Sequence, residues 1–332
     1  VEELQSCNIF PPQVTLAAYE MVKMHVIPRP EMLPSSMEDG IRILGGLHCR
    51  HRGGREGASG FWNETMVEFR DVSVSYRAVK GKAAQVFDGL NLEIHKGEKI
   101  ALIGSNGAGK STMMKMMTGL IRPSGGEVLL KGNSIKDTKP EQLSRYVSLV
   151  YQNPEDMFIK DSIEADISFA MQVRNEEGWE RRTQELLERF RLTELKDRDG
   201  RLLSGGQMRR ASLAIGIALN PEILLLDEPT ANLDIATRKE IMRTLNDIKD
   251  ITETVMIATH DMQLVCEWAE RIIVLCQGQV IADGTRDEIF GDPEVVRRSG
   301  IRPPEIFTLG QEIQADAFCY TVDEFVQEFG GK

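Results

Sequence analysis

Residues 100–112 read Ile-Ala-Leu-Ile-Gly-Ser-Asn-Gly-Ala-Gly-Lys-Ser-Thr, and this stretch decides the fold. An apolar run of strand type feeds a glycine-rich turn, and the turn opens a helix predicted to reach about Thr118. Gly104, Gly109, Lys110 and Ser111 occupy the four fixed places of G-x-x-x-x-G-K-[ST], a phosphate-binding loop. Its glycines allow backbone angles that a Cβ would forbid, so that successive N–H groups face one concavity. The helix that starts near Gly109 adds unpaired amides and the positive end of its dipole. The intervening Asn106, Gly107 and Ala108 and the following Thr112 belong to the same cradle. Lys110 is placed to reach the β- and γ-phosphates, and the Ser111 hydroxyl to enter a Mg²⁺ shell. The alternative is a plain turn between a core strand and a core helix. At average residue frequencies the four positions match by chance in roughly one chain of this length in a hundred.

The chain has 332 residues, enough for one full-sized domain with smaller attachments. A hydrophobic fraction of 41% and a charged fraction of 27% describe a globular chain rather than a disordered one. The net charge of −11 argues against nonspecific attraction to nucleic acid or anionic lipid. Cys7, Cys49, Cys266, Cys276 and Cys319 are odd in number and show no C-x-x-C pairing, which suits reduced thiols better than a disulfide framework. No apolar run approaches the roughly 18 residues of a membrane span.

The phosphate loop sits within a predicted domain over residues 66–290. Val67 to Tyr76 alternates with period two, as a half-buried strand does, and Gly89 to Ile94 reads as a second strand. Val147 to Tyr151 is a strand that delivers Gln152 at its end, and residues 161–202 read as mostly helical. Ser204, Gly205, Gly206 and Gln207 follow Leu203 and run into a second glycine-hinged helix start, a geometry that presents amides to an anion. Ile223 to Leu226 suits a strand buried on both faces of a parallel sheet. It ends in Asp227 and Glu228, at the sheet edge where open α/β folds bind ligands. Side chains alternate along a strand, so these two carboxylates are expected to have different tasks. A further buried strand, Val255 to Thr259, ends at His260. A single histidine is usually structural, but this one shares an edge with two carboxylates. Arg271 to Asp283 reads as a hairpin turning at Gln277-Gly278.

Outside that domain, residues 1–44 form a helical segment with proline breaks. Asn8 to Leu16 (NIFPPQVTL) resembles Gly300 to Leu309 (GIRPPEIFTL), and Met37-Glu38-Asp39 is loosely matched by Val322-Asp323-Glu324. Such a long-period repeat predicts that residues 1–44 are the closing unit of an upstream homologous domain. Residues 45–65 are glycine-rich and basic, the composition of a flexible linker. His48, Cys49 and His51 lack any metal-ligand spacing. Residues 291–332 form a small appended helical unit.

The order GSNGAGKST, Gln152, LSGGQ, ILLLDE, ANLD and His260 resembles the nucleotide-binding subunit of ABC transporters over residues 66 to about 290. Five fixed residues such as LSGGQ arise by chance in well under one chain in a thousand. Within that family, QNPEDMFI followed by SIEADISFA is similar to the ATPases of energy-coupling factor transporters, which take up vitamins and metal ions. The C-terminal unit with its Pro-Pro element, residues 291–332, is similar to theirs too, where it helps pair the two ATPases, which implies a dimerisation or regulatory role. The resemblance implies an α/β P-loop NTPase of ABC type: a mixed, mainly parallel core sheet, an antiparallel β subdomain, a helical signature subdomain and the small C-terminal helical unit.

The resemblance also implies two such domains paired head to tail, as a homodimer or in a tandem or heteromeric arrangement, with two ATPs between them. Lys110, Ser111 and the loop amides would then hold the triphosphate and Mg²⁺, and Tyr76 would stack on adenine. Gln152 would touch the metal shell and sense a membrane subunit. Asp227 would hold Mg²⁺, Glu228 would activate water, and His260 would contact the γ-phosphate. Ser204, Gly205, Gly206 and Gln207 would cap the partner's ATP, with Asp234 shaping the shared edge. The protein would lie at the cytoplasmic face of the cell membrane and bind no nucleic acid. An ordinary ABC importer or exporter ATPase, or a soluble ABC protein acting on ribosomes or DNA, is the alternative reading.

Overall fold

The computed structural model describes residues 1–2, 4, 11–50, 64–76, 84–248 and 251–331. Most of the linker predicted over 45–65, together with Asn8 to Phe10 of the repeat, lies outside the described residues. The chain divides into two compact units. One comprises residues 1–60, 261–269 and 285–332, and the other residues 61–260 and 270–284.

The first unit is helical. It contains α1 (Gln13–Lys23) and α2 (Met37–Leu44) from the start of the chain. The second unit supplies the next elements in order: β1 (Thr65–Tyr76), β2 (Ala84–His95), β3 (Lys99–Gly104), α3 (Lys110–Met117), β4 (Gly125–Leu130), β5 (Asn133–Ser134) and β6 (Val147–Val150). It continues with α4 (Ile163–Val173), α5 (Trp179–Arg189), α6 (Gly205–Ile217), β7 (Ile223–Asp227), α7 (Ile235–Ile248), β8 (Thr254–Ala258), β9 (Arg271–Cys276) and β10 (Gln279–Gly284). The helical unit adds α8 (Met262–Trp268), α9 (Arg286–Phe290), α10 (Pro293–Ser299), α11 (Glu305–Ile313) and α12 (Val322–Phe329). By contacts, then, α8 and α9 group with the helical unit, although their sequence positions fall inside the span 66–290.

Two sheets build the second unit. The antiparallel sheet has the order β2-β1-β4-β5, and β2 begins at Ala84, ahead of the predicted Gly89. The other sheet has the order β10-β9-β3-β8-β7-β6. Its β9, β3, β8, β7 and β6 run parallel, and only β10 is antiparallel, as the returning arm of the hairpin. Gln277 and Gly278 both carry positive φ, the backbone that a two-residue hairpin turn requires. All five residues of β7 and of β8 are buried, which accounts for the apolar runs Ile223–Leu226 and Val255–Ala258. In contrast, α5 is buried only at Thr183, Leu186 and Leu187, one stripe of an otherwise charged helix. The four methionines of α3 are buried in the core shared with β1, β2 and β3, where unbranched side chains fill uneven gaps.

A buried ion pair ties the two sheets together. Glu98 is fully buried, accepts the His95 N–H at 2.7 Å and is bound by Arg271 Nη1 at 2.7 and 2.9 Å. Arg271 also reaches Asp283 through Nε and Nη2 and donates to the Glu93 carbonyl. Removing one partner strands a buried charge. Arg271→Ala is therefore expected to destabilise this unit by about 3–5 kcal/mol, read by denaturant titration. Glu98→Gln paired with Arg271→Met should cost clearly less.

Candidate active site

Parallel pairing brings four strand ends to one edge of the sheet. β3 ends at Gly104, β8 leads into Thr259 and His260, β7 ends at Asp227, and β6 leads to Gln152. Register pairs Leu102 with Ala258 and Ala258 with Asp227, so β8 lies between the phosphate loop and the carboxylates. The site is therefore assembled by topology, from residues more than a hundred positions apart.

At the loop, Gly109 has φ +110° and precedes the first turn of α3. A Cβ there would come within 2.5 Å of the Phe87 ring, so glycine is required by both conformation and space. Ala108 donates its N–H to the Ser105 carbonyl at 3.1 Å, while Ser105, Asn106 and Gly107 are exposed. Lys110 is buried, and its Nζ donates to the Gly104 carbonyl at 2.6 Å and to the Ser105 carbonyl at 3.3 Å. Burial pulls the Lys110 ammonium below its usual range, with Glu228 and Asp227 opposing. Tyr76 is 43% exposed, and its hydroxyl lies 3.2 Å from Thr112 Oγ1, at the rim of the loop helix.

The two adjacent carboxylates do have different partners, though not through strand alternation. Asp227 ends β7, and the Ser111 hydroxyl near it holds its carboxyl down against burial. Glu228 has left the strand, with φ +49°, and its N–H donates to the Ala258 carbonyl at 2.8 Å. This left-handed turn sends its carboxylate toward β8. Oε2 accepts from Thr259 Oγ1 at 3.1 Å and from the His260 N–H at 3.3 Å, and Oε1 lies 2.9 Å from His260 Nδ1. A left-handed non-glycine residue costs free energy, and such strain clusters at working sites. Glu228 is buried, whereas the His260 ring is 70% exposed.

Ser204 caps α6, accepting the Gln207 N–H, and Gln207 Oε1 accepts the Ser204 N–H at 3.1 Å. A Cβ on Gly206 would meet the Thr237 methyl at 2.5 Å. Thr237 in turn is held by Asp234, which accepts its N–H at 3.0 Å and its hydroxyl at 2.6 Å. The glycine-hinged helix start and the Asp234 loop thus form one exposed surface, backed against α7. Gln152 has an exposed side chain, and its carbonyl accepts from Arg209 Nη2 at 2.9 Å.

Two residues of this region were missed from sequence. Arg209 is 3% exposed and also binds the Tyr151 carbonyl at 3.2 Å, joining α6 to the strand end that carries Gln152. Its signal was a charged residue on the apolar face of α6, in line with Ser212, Leu213 and Gly216. Thr259 is fully buried and reads in sequence only as the last residue of a strand.

A divalent cation fits this donor set. Ser111 and Asp227 lie near each other at the sheet edge, and both are oxygen ligands. Among the described residues no cluster of three His, Cys, Asp or Glu side chains could cage an ion by itself. One hydroxyl and one carboxylate suit Mg²⁺, which takes one or two protein oxygens and completes its shell with substrate phosphate and water.

With this geometry in place, the relatives are informative. Residues 87–231 match the family described as ABC transporter. The chain is 36% identical over 267 residues to the energy-coupling factor transporter ATP-binding protein EcfA of Methanothermobacter thermautotrophicus, covering 79% of this chain and 85% of that one. It is also 36% identical to the protein of the same name from Methanocaldococcus jannaschii, covering 73% and 86%. Among solved structures, CbiO1 of Clostridium perfringens, described as part of the ABC transporter complex CbiONQ, aligns with TM-score 0.60 and 31% identity over 74% of this chain and 98% of that one. An ATP-binding cassette solved as a dimer in a post-hydrolysis state with ADP and Pi aligns with TM-score 0.60 and 28% identity, over 66% and 98%.

The chain belongs to the ABC transporter ATP-binding family. It is an ATPase of that type, similar to energy-coupling factor subunits.

Burial pushes the Asp227 carboxyl above its usual range, against the Ser111 bond and Lys110, with Glu228 adding to the rise. A folded-state value above the unfolded one means that ionised Asp227 weakens the fold. That cost is absent at low pH and complete once pH exceeds the folded value. Asp227→Asn should therefore stabilise the protein without nucleotide at pH 7–8, seen as a higher Tm. The gain should vanish toward pH 3, while Mg-ATP affinity falls. Thermal melts at both pH values check this.

Proposed function

We propose that this protein hydrolyses ATP to drive transport across a membrane, in the manner of energy-coupling factor uptake of a vitamin or metal ion. The observation that carries the hydrolytic reading is the Thr259–Glu228–His260 cluster beside the Asp227–Ser111 pair and Lys110, all at one sheet edge. The names of the relatives support the transport reading.

The loop amides from Gly104 to Thr112 take the phosphates, and Lys110 exchanges its loop carbonyls for phosphate oxygens. That exchange replaces two neutral acceptors by charged ones, which are stronger partners for an ammonium. Tyr76, already at the rim of α3, covers the base. Asp227 and Ser111 would hold Mg²⁺, which when bound offsets phosphate charge. Glu228 takes the proton of the attacking water, and Thr259 holds its second oxygen so that the carboxylate keeps its aim. His260 turns its exposed ring from Glu228 toward the γ-phosphate.

Ser204 and the amides of Gly205, Gly206 and Gln207 form an anion-binding helix start on an exposed surface and serve the ATP of a second ATPase domain. Asp234 holds that surface through Thr237. ATP then favours the closed pair by binding it better than the open one, and hydrolysis removes the preference. Gln152, exposed at a strand end and tied to α6 by Arg209, relays this to an integral membrane subunit. No helix among the described residues is long and apolar enough to cross a membrane. In this reading the protein docks on the cytoplasmic face of the membrane through that subunit, as the names of its relatives suggest, and residues 1–44 represent the closing unit of an upstream ATPase copy.

Glu228→Gln should keep Mg-ATP binding and slow hydrolysis at least ~100-fold, a general-base effect. Phosphate release and a binding titration on the same preparation check both halves, and near-normal turnover would remove Glu228 from this role. Lys110→Ala should lose most nucleotide affinity; an unchanged titration would contradict the loop assignment.

A further inference from the structure

The ladder between β6 and β7 ends where Val150 pairs with Leu226. The carbonyls of the next two residues, Tyr151 and Gln152, are taken by one side chain from α6. Arg209 Nη1 donates to the first at 3.2 Å and Nη2 to the second at 2.9 Å. A guanidinium is a rigid planar fork, so it fixes the orientation of two consecutive carbonyls together. The far end of the same segment is also held by helical elements. Asp166 of α4 accepts the N–H groups of Ile159 and Lys160 through one oxygen, at 2.8 and 2.9 Å. Arg201, in the turn before α6, donates from Nη2 to the Lys160 carbonyl at 3.3 Å. Phe158 is buried on Gly200, where a Cβ would come within 2.3 Å of its ring. Gln152 thus begins a segment anchored to α4 and α6, whereas Asp227 belongs to the sheet.

Arginine is a costly choice for this place. The side chain is buried, and its Nε has no hydrogen-bond partner among the described residues. An apolar side chain would fill the same face of α6 without desolvating a charge or stranding a donor. Burial pulls the guanidinium below its usual range, and Asp227 and Glu228 oppose this, so its charge lies within the field of both carboxylates. Packing alone does not account for Arg209. The two carbonyls that it grips do.

We propose that Arg209 is a positioning residue for ATP hydrolysis: it sets the place of Gln152 from α6, and the Gln152 side chain reaches the metal shell only while the guanidinium grips both carbonyls. This rests on the proposed place of Gln152 beside Mg²⁺ and names what holds that residue there. The oxygens around the metal then come from two bodies, Asp227 from the sheet and Gln152 from the helix that Ser204 caps. A displacement of α6 carries Gln152 with it and leaves Asp227 in place.

The test is a double-mutant cycle in the full chain between Arg209→Lys and Gln152→Ala. Lysine keeps the charge in the field of the carboxylates but gives up the planar fork. At saturating Mg-ATP and one fixed chain concentration, Arg209→Lys should lower kcat about 10-fold. Gln152→Ala should be slowed too, and the double variant should be no slower than Gln152→Ala. A second readout needs no turnover: the affinity for Mn²⁺ in place of Mg²⁺, titrated by electron paramagnetic resonance with a non-hydrolysable ATP analogue bound. It should weaken about 10-fold in Arg209→Lys, and no further in the double variant than in Gln152→Ala. Binding of the analogue without metal should stay normal, which reports a folded site. If Arg209→Lys loses that binding, Arg209→Gln, which keeps one amide donor, takes its place in the cycle. Normal kcat and Mn²⁺ affinity in Arg209→Lys beside a defective Gln152→Ala would overturn the inference and leave the place of Gln152 standing. Losses that multiply in the double variant would also overturn it, because Arg209 would then act on something other than Gln152. A Gln152→Ala chain that is normal in both readouts would remove Gln152 from the metal, and the inference with it.

Discussion

Asp227 stands opposite Ala258, and Ala258 opposite Leu102, in a run of parallel strands whose register admits no slip. Glu228, Thr259, His260 and Gln152 lie one or two residues beyond the ends of these strands, and Asp227 is the last residue of β7. A slip of one residue in β7 would turn Asp227 from Ser111 and bury a neighbouring leucine's place with a carboxylate. The apolar burial of β7 and β8 therefore does more than stabilise a core: it sets the distances among Lys110, Asp227, Glu228 and His260. The charges held there are costly, since burial lowers the Lys110 ammonium and raises the Asp227 carboxyl. The fold keeps them because the sheet beneath is rigid and apolar.

Much of the second unit is legible in sequence because its signals are local. A glycine at φ +110° before a lysine, a run of leucines ending in two acids, and a serine cap with glutamine three residues on each state their geometry within a few positions. What escaped depends on remote partners. Glu228 reaches Thr259 and His260 through a left-handed turn and not through strand alternation. Arg209 matters through the carbonyls of Tyr151 and Gln152, more than fifty residues away. The likeness of Gln13 to Glu305 is visible in the two Pro-Pro elements, but their exchange of hydrogen bonds is a tertiary fact.

Within this chain the glycine-hinged start of α6 is held by α7: Gly206 lies against Thr237, and Asp234 fixes Thr237. Its amides are thus presented from a braced surface, apart from the β3–α3 loop in sequence and in its supporting elements. In the proposed function, the phosphate loop and this helix start are two complementary halves that meet when two domains face each other.

The most direct measurement of that account is the hydrolysis rate per chain as chain concentration is raised from about 0.1 to 100 µM at saturating Mg-ATP. A site completed by a second domain predicts a rate per chain that climbs with concentration and levels off once pairs dominate. A rate per chain that stays constant across the range would mean that a single domain carries out the chemistry, and would contradict the account.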